Sequence, residues 1–120
     1  DLEETRKIIA EKFPEYLMSF DQVMKDKKLH LYNMFIMKKK DFDQYCNWLF
    51  EILFELENRI DISQYDNYQK RVFGFISERL FNVWLEYNRL RKFEVNVINL
   101  EKINWIRKIL SFLNRKVNSL

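Results

Sequence analysis

The stretch Asp41–Ile60, DFDQYCNWLFEILFELENRI, decides the class of this fold. Phe42, Tyr45, Cys46, Leu49, Leu53, Leu56 and Ile60 recur at intervals of three and four, the spacing that gathers side chains on one face of an α-helix. Trp48, Phe50, Ile52 and Phe54 widen that stripe nearly all round, so the helix is expected to be contacted on more than one side. Asp61–Asn67 follows as a polar connection with Asp, Ser and Asn in capping positions. A second long helix is predicted over Tyr68–Leu90, with Val72, Ile76, Leu80, Val83, Tyr87 and Leu90 on one face. Gly74 inside it costs about 1 kcal/mol relative to Ala. Such a glycine is easier to accommodate where another group approaches the backbone closely.

Working outward, the pattern changes on both sides. Phe93, Val95, Val97 and Leu100 alternate with Glu94, Asn96 and Asn99, a period of two that reads as a strand. Glu101–Val117 reads as a last helix with Ile103, Ile106, Leu110, Leu113 and Val117 on one side. Toward the N-terminus, Leu29–Met37 is short and uniformly apolar and reads as a buried strand, closed by Lys38-Lys39-Lys40. Leu2–Lys12 is spaced for a short helix. Pro14, whose missing N–H suits a first turn, opens another that carries Tyr16, Leu17, Phe20, Val23 and Met24. The expected architecture is mainly α (α+β), four to five helices with two short strands. Two lone strands make a poor sheet, so they either pair with each other or belong to a larger one.

Composition excludes several classes. The chain has 120 residues, enough for one domain, with 48% hydrophobic and 17% aromatic content, which argues against disorder. One Gly and one Pro argue against a turn-rich all-β fold. A single cysteine, Cys46, rules out an internal disulfide and a multi-cysteine zinc site, and it suits a reducing, cytoplasmic setting. The net charge of +3 comes from 21 basic and 18 acidic residues, interspersed rather than gathered in the stripe of a dedicated nucleic-acid binder. No run of about 18 apolar residues could span a membrane, and no signal peptide is apparent. A start at Asp1 rather than Met reads as a piece of a longer protein or a processed one.

The runs KLHLYNMFIMKK (28–39) and FDQYCNWLFEILFELENRIDISQYDNYQKRVFGFISERLFNVWL (42–85) carry a resemblance. They look like the C-terminal half of a bacterial family long described as a domain of unknown function and found in capsular-polysaccharide, exopolysaccharide and lipopolysaccharide glycosyltransferases. The resemblance covers about residues 1–99, leaving 100–120 as a variable C-terminal helix. It implies that the chain is part of a larger α/β glycosyltransferase domain whose other half holds most of the nucleotide-sugar pocket, and that this part is inactive alone. The implied reaction moves a sugar from a nucleotide-activated donor to a growing glycan acceptor. A divalent cation, manganese or magnesium, or basic side chains would neutralise the leaving diphosphate, and a base would take the acceptor proton if the reaction inverts.

Against that chemistry, His30 is a candidate catalytic or ligating residue, alongside its structural reading at a strand entrance. Asn33, polar within an apolar run, is a candidate for acceptor hydroxyls, or pins backbone. Arg71, Gly74 and Glu78 fall on roughly one helical face. Glu78 is the candidate base, with Arg71 or Arg79 holding phosphate or carboxylate; an ion pair locking two helices is the alternative. Asp41-Phe42-Asp43 has the letters of a carboxylate metal motif, but it sits where a helix start favours acid in any case, and no metal ligand is assigned. Lys38–Lys40 and Arg89, Arg91 and Lys92 are either a solvated face or a peripheral contact with the inner membrane leaflet. A helical protein–protein interaction module of the assembly machinery is the rival reading, and RNA binding through the basic clusters is a weaker third.

Overall fold

The computed structural model describes residues 1–27, 34–98, 100 and 104–119. Its elements are α1 (Leu2–Lys12), α2 (Leu17–Lys25), α3 (Lys39–Arg59), α4 (Val72–Asn88) and α5 (Trp105–Asn118), with 3₁₀ turns at Pro14–Tyr16 and Gln69–Arg71. Each helix lies within a few residues of its expected place. Among the described residues there is no strand.

That absence corrects the strand expectation at Phe93–Leu100 and, for the one at Leu29–Met37, its described end Met34–Met37. Leu29–Asn33 lie outside the described residues. Met34–Met37 run irregularly into α3, and Phe35 lies on Phe81 of α4, rings stacked with centroids 4.9 Å apart. Phe35 and Met37 thus serve helix packing and not a ladder, while Met34 and Ile36 face solvent. Phe93–Ile98 is irregular and exposed, with Phe93 at 94% and Val95 at 80%. Its alternation has no neighbouring strand among the described residues to pair with, and an isolated strand has no stability of its own.

The core belongs to α1–α4. α4 packs on α2 and α3, and α1 packs on α3 and α2. Ile8 and Ile9 of α1, Phe20 and Val23 of α2, Tyr45, Trp48, Leu49, Ile52 and Leu56 of α3, and Val72, Ile76, Leu80 and Val83 of α4 form one buried cluster. Each such side chain contributes about 1.5–3 kcal/mol by leaving water. The widened stripe of α3 is used in part: Trp48 and Ile52 are buried, while Phe50 and Phe54 stack on each other in solvent. In α4 six consecutive residues, Leu80 to Leu85, are buried, so this stretch of the helix is covered on every side.

The start and end of α4 are set locally. The Asp66 carboxylate accepts from the Tyr68 and Gln69 amides at 2.9 and 2.7 Å, and the Gln69 side chain accepts from the Asp66 amide at 3.0 Å. This reciprocal arrangement satisfies donors that a helix start leaves open. At the other end Arg89 takes the left-handed conformation, with φ 49°. The Leu90 amide then donates to the Leu85 carbonyl at 3.4 Å, closing the helix.

Ion pairs tie α1 to its neighbours. Arg6 donates twice to Asp21 of α2, both at 2.7 Å. Arg59 of α3 donates to Glu11 of α1 at 3.2 and 2.6 Å, and to Glu55 at 2.8 Å. The hydrogen bond from Arg59 holds the Glu11 carboxyl below its ordinary value, and that from Arg6 does the same for Asp21. A carboxylate with a depressed pKa stabilises the fold above its unfolded pKa, and that contribution is lost as pH falls through the folded one. The melting temperature is therefore expected to hold from neutral pH down to the ordinary carboxylate range and to fall below it. Arg59→Met and Arg6→Met should each lower the neutral-pH melting temperature and flatten the acid limb in thermal melts. An acid limb identical in both variants would remove this role for the pairs.

Candidate functional site

The N-terminal half of α4 is where the sequence placed a polar strip, and the helix aligns it. Residues 71, 74 and 78 are spaced by three and four, and so share a face. Arg71 is exposed at the N-cap, Gly74 is exposed, and Glu78 is half-buried. Seven residues of helix separate Arg71 from Glu78 by about 10 Å along the axis, too far for a direct pair. Neither forms an ion pair among the described residues, and nor does half-buried Arg79, which points about 100° away from Glu78. The alternative of an ion pair locking two helices is thus not what these side chains do among the described residues.

Gly74 departs from its expected reason. A Cβ built there would meet nothing within 4 Å, so no neighbouring group among the described residues requires the glycine. It leaves a notch in the strip between a cation and a carboxylate.

Two aromatic residues that the sequence reading passed over complete the surface. Tyr68 and Phe75 bring their rings to 5.3 Å, and the Arg71 guanidinium lies over Phe75 at 5.4 Å from its centroid. The stack is worth about 0.5–1 kcal/mol at an exposed site and limits where the Arg71 head can go. The signal was present: Tyr68 and Phe75 are seven apart, and so on one face. Asn82 was also passed over. It continues the line of Gly74 and Glu78 and is buried, and its amide donates to the Glu78 carbonyl at 2.8 Å. That bond satisfies a polar group inside the packed half of the helix.

His30 and Asn33 lie outside the described residues. Asp41 and Asp43 behave as helix-start residues. Asp41 sits in the first turn of α3, and Asp43 accepts from Lys39 at 2.6 Å. Among the described residues no three His, Cys, Asp or Glu side chains gather to hold a metal. Burial raises the Tyr45 phenol pKa above its ordinary value, so the group stays neutral. Cys46 is half-buried against the core. A concavity lined by Arg107, Leu110, Ser111, Leu113, Asn114 and Val117 runs along α5 and includes no residue of the strip.

The open notch makes a direct prediction. Gly74→Ala should stabilise the chain by up to about 1 kcal/mol in urea unfolding, because helix propensity improves and nothing is displaced. A loss of stability would mean that a group of this chain occupies the notch.

The arrangement can hold an anion at Arg71, accept a proton or a hydroxyl hydrogen bond at Glu78, and stack an apolar ring face on Tyr68 and Phe75. No curated protein matches the chain, and no solved structure does. A family model matches residues 1–89, ending at the left-handed residue that closes α4 and leaving α5 outside. By that match over most of its length, the chain belongs to the family described as a domain of unknown function, DUF4422.

Proposed function

We propose that this chain is the acceptor-side part of a glycosyltransferase that moves a sugar from a nucleotide-sugar donor onto a growing surface polysaccharide, a capsule, exopolysaccharide or lipopolysaccharide. The observation that carries the reading is the strip on α4. Glu78 and Arg71 are charged and have no ion-pair partner among the described residues; they flank an open glycine and lie beside an aromatic pair of exposed Tyr68 and half-buried Phe75. Acceptor recognition needs those parts: a carboxylate for a hydroxyl, a cation for a phosphate or acidic group, and a ring for a sugar face. The helical architecture supports a supplementary role, with a nucleotide-binding half elsewhere in a longer polypeptide supplying the donor site and any divalent metal. The sequence resemblance points the same way.

A second reading is a helical interaction module of the assembly machinery. It is favoured by the exposed apolar residues of α5 and by the solvent-facing Phe50–Phe54 stack on α3.

The test is donor binding and transfer. A panel of nucleotide-diphosphate sugars is titrated, with and without manganese, against this chain and against a longer polypeptide containing it. Binding is expected only to the longer form. In that form Glu78→Gln should lower transfer by about 100-fold or more if Glu78 is the base, with the melting temperature unchanged. Wild-type turnover in Glu78→Gln, or no donor bound by the folded longer form, would leave the interaction module as the better reading.

A further inference from the structure

Helix α5 is the part of the chain that the core does not use. None of its residues is buried. Trp105, Ile106, Ile109, Leu110, Phe112, Leu113 and Val117 are each at least half exposed. At 100° per residue they gather on one side of the helix, while Arg107, Ser111, Asn114 and Asn118 fall on the other. The helix is well formed: the Asn104 side chain accepts from the Arg107 amide at 3.1 Å and caps its start. A bare apolar face of this size calls for an occupant.

Charge selects that occupant. α5 carries Arg107, Lys108, Arg115 and Lys116 and no acidic residue. The whole chain is +3, with 21 basic and 18 acidic residues, so its net positive charge resides in this helix and the remainder is slightly acidic. Two copies meeting face to face would bring only like charges together. The rest of the chain carries both signs interspersed along its sequence. An anionic lipid layer offers both requirements at once, apolar depth beneath a negative surface.

The cations are placed for it. Lys108 reaches over the Trp105 ring at 5.2 Å and Lys116 over the Phe112 ring at 5.4 Å. By helical spacing Lys108 borders the apolar arc and Lys116 falls within it, so each stem lies along an aromatic ring of that face and its head has the length to reach past it, as in side chains that snorkel at an interface. Fourteen residues rise about 21 Å, short of a bilayer's hydrocarbon core, and no helix among the described residues is long and apolar enough to cross a membrane. Such a helix lies in the interface plane. Exposed Phe93, Val95, Val97, Ile98 and Leu100 lead into it from Arg89, Arg91 and Lys92, extending the apolar and basic character upstream.

We propose that α5 is an interfacial anchor that docks the chain onto an anionic lipid surface. This goes beyond sugar transfer and does not rest on it, since vesicle binding and donor binding are read separately. The basic clusters Lys38–Lys40 and Arg89, Arg91 and Lys92 read from sequence as either a solvated face or a membrane contact; the proposal centres that contact on α5.

The test is co-sedimentation of the 120-residue chain with vesicles of phosphatidylcholine alone or mixed equally with phosphatidylglycerol, at low and high salt. Binding is expected to the mixed vesicles, weakened by salt, and at most weakly to phosphatidylcholine. Lys108→Gln should weaken it about fivefold, as expected for one cation removed from an anionic surface. The double variant Leu110→Glu/Leu113→Glu should abolish it. All three positions are exposed, so circular dichroism and melting should show the α1–α4 body unchanged. Trp105 gives a second readout, because Trp48 and Trp84 are buried: its emission should shift to the blue on mixed vesicles, and the shift should vanish in Trp105→Phe. Absence of binding to anionic vesicles, binding indifferent to phosphatidylglycerol, or binding retained by the double variant would each overturn the proposal. So would a dimer in sedimentation that the double variant converts to monomer, since the face would then belong to a second copy.

Discussion

The complete burial of Leu80 to Leu85 in α4 is the constraint on which the rest of the structure depends. A helix buried all round must be surrounded, and without a sheet among the described residues only other helices and their flanking segments can do it. α2 and α3 pack on it from two directions, and Phe35, from the run that leads into α3, lies flat on Phe81. Trp84 and Tyr45 meet within the same cluster at 5.4 Å. α1 is a second tier, seated by Ile8 and Ile9 and tied from outside by Arg6–Asp21 and Arg59–Glu11. Exposed pairs of this kind add little individually, but they connect three helices at defined points.

The same helix changes character along its length, and this is how the fold positions a surface. Its stretch Leu80–Leu85 is locked in the core. Its N-terminal half projects Arg71, Gly74 and Glu78 outward from a rigid base. The capping arrangement of Asp66 and Gln69 and the stack of Arg71 on Phe75 steady that end. A side chain on a helix anchored this way has less freedom than one on a loop, which is what a binding group needs.

Much of this was legible in the sequence because helices announce themselves over short distances. Phe42, Tyr45, Leu49, Leu53 and Leu56 repeat at helical spacing whatever they pack against, and the structure has α3 where they place it. Pro14 and the Asp61–Asn67 connection marked breaks for reasons local to the backbone. The strand readings at Phe93–Leu100 and Met34–Met37 went wrong for the opposite reason. Alternation at Phe93–Val97 describes one chain, whereas a strand exists only with a partner. The apolar run at Met34–Met37 looks the same whether it pairs or packs; Phe35 packs. Gly74 was read as a close approach and proves to be an opening, a distinction that depends on what stands opposite. Tyr68 and Phe75 needed the helix register and their facing rings before they joined the strip. The two faces of α5 were half visible in Ile106, Leu110, Leu113 and Val117, but that nothing among the described residues covers the apolar one is a fact of three dimensions.

The account thus divides the chain into a packed body, α1–α4, that holds the α4 strip still, and a helix, α5, whose apolar face is left for a surface outside the chain. Amide hydrogen exchange on the 120-residue chain, alone and with anionic vesicles, tests that division most directly. The account predicts that the amides of Leu80–Leu85 exchange only through global unfolding. Those of Trp105–Asn118 should exchange orders of magnitude faster in the free chain, through local opening, and become protected when vesicles are added. Protection of α5 equal to that of α4 in the absence of any lipid would contradict it, because α5 would then be held by the body or by another copy.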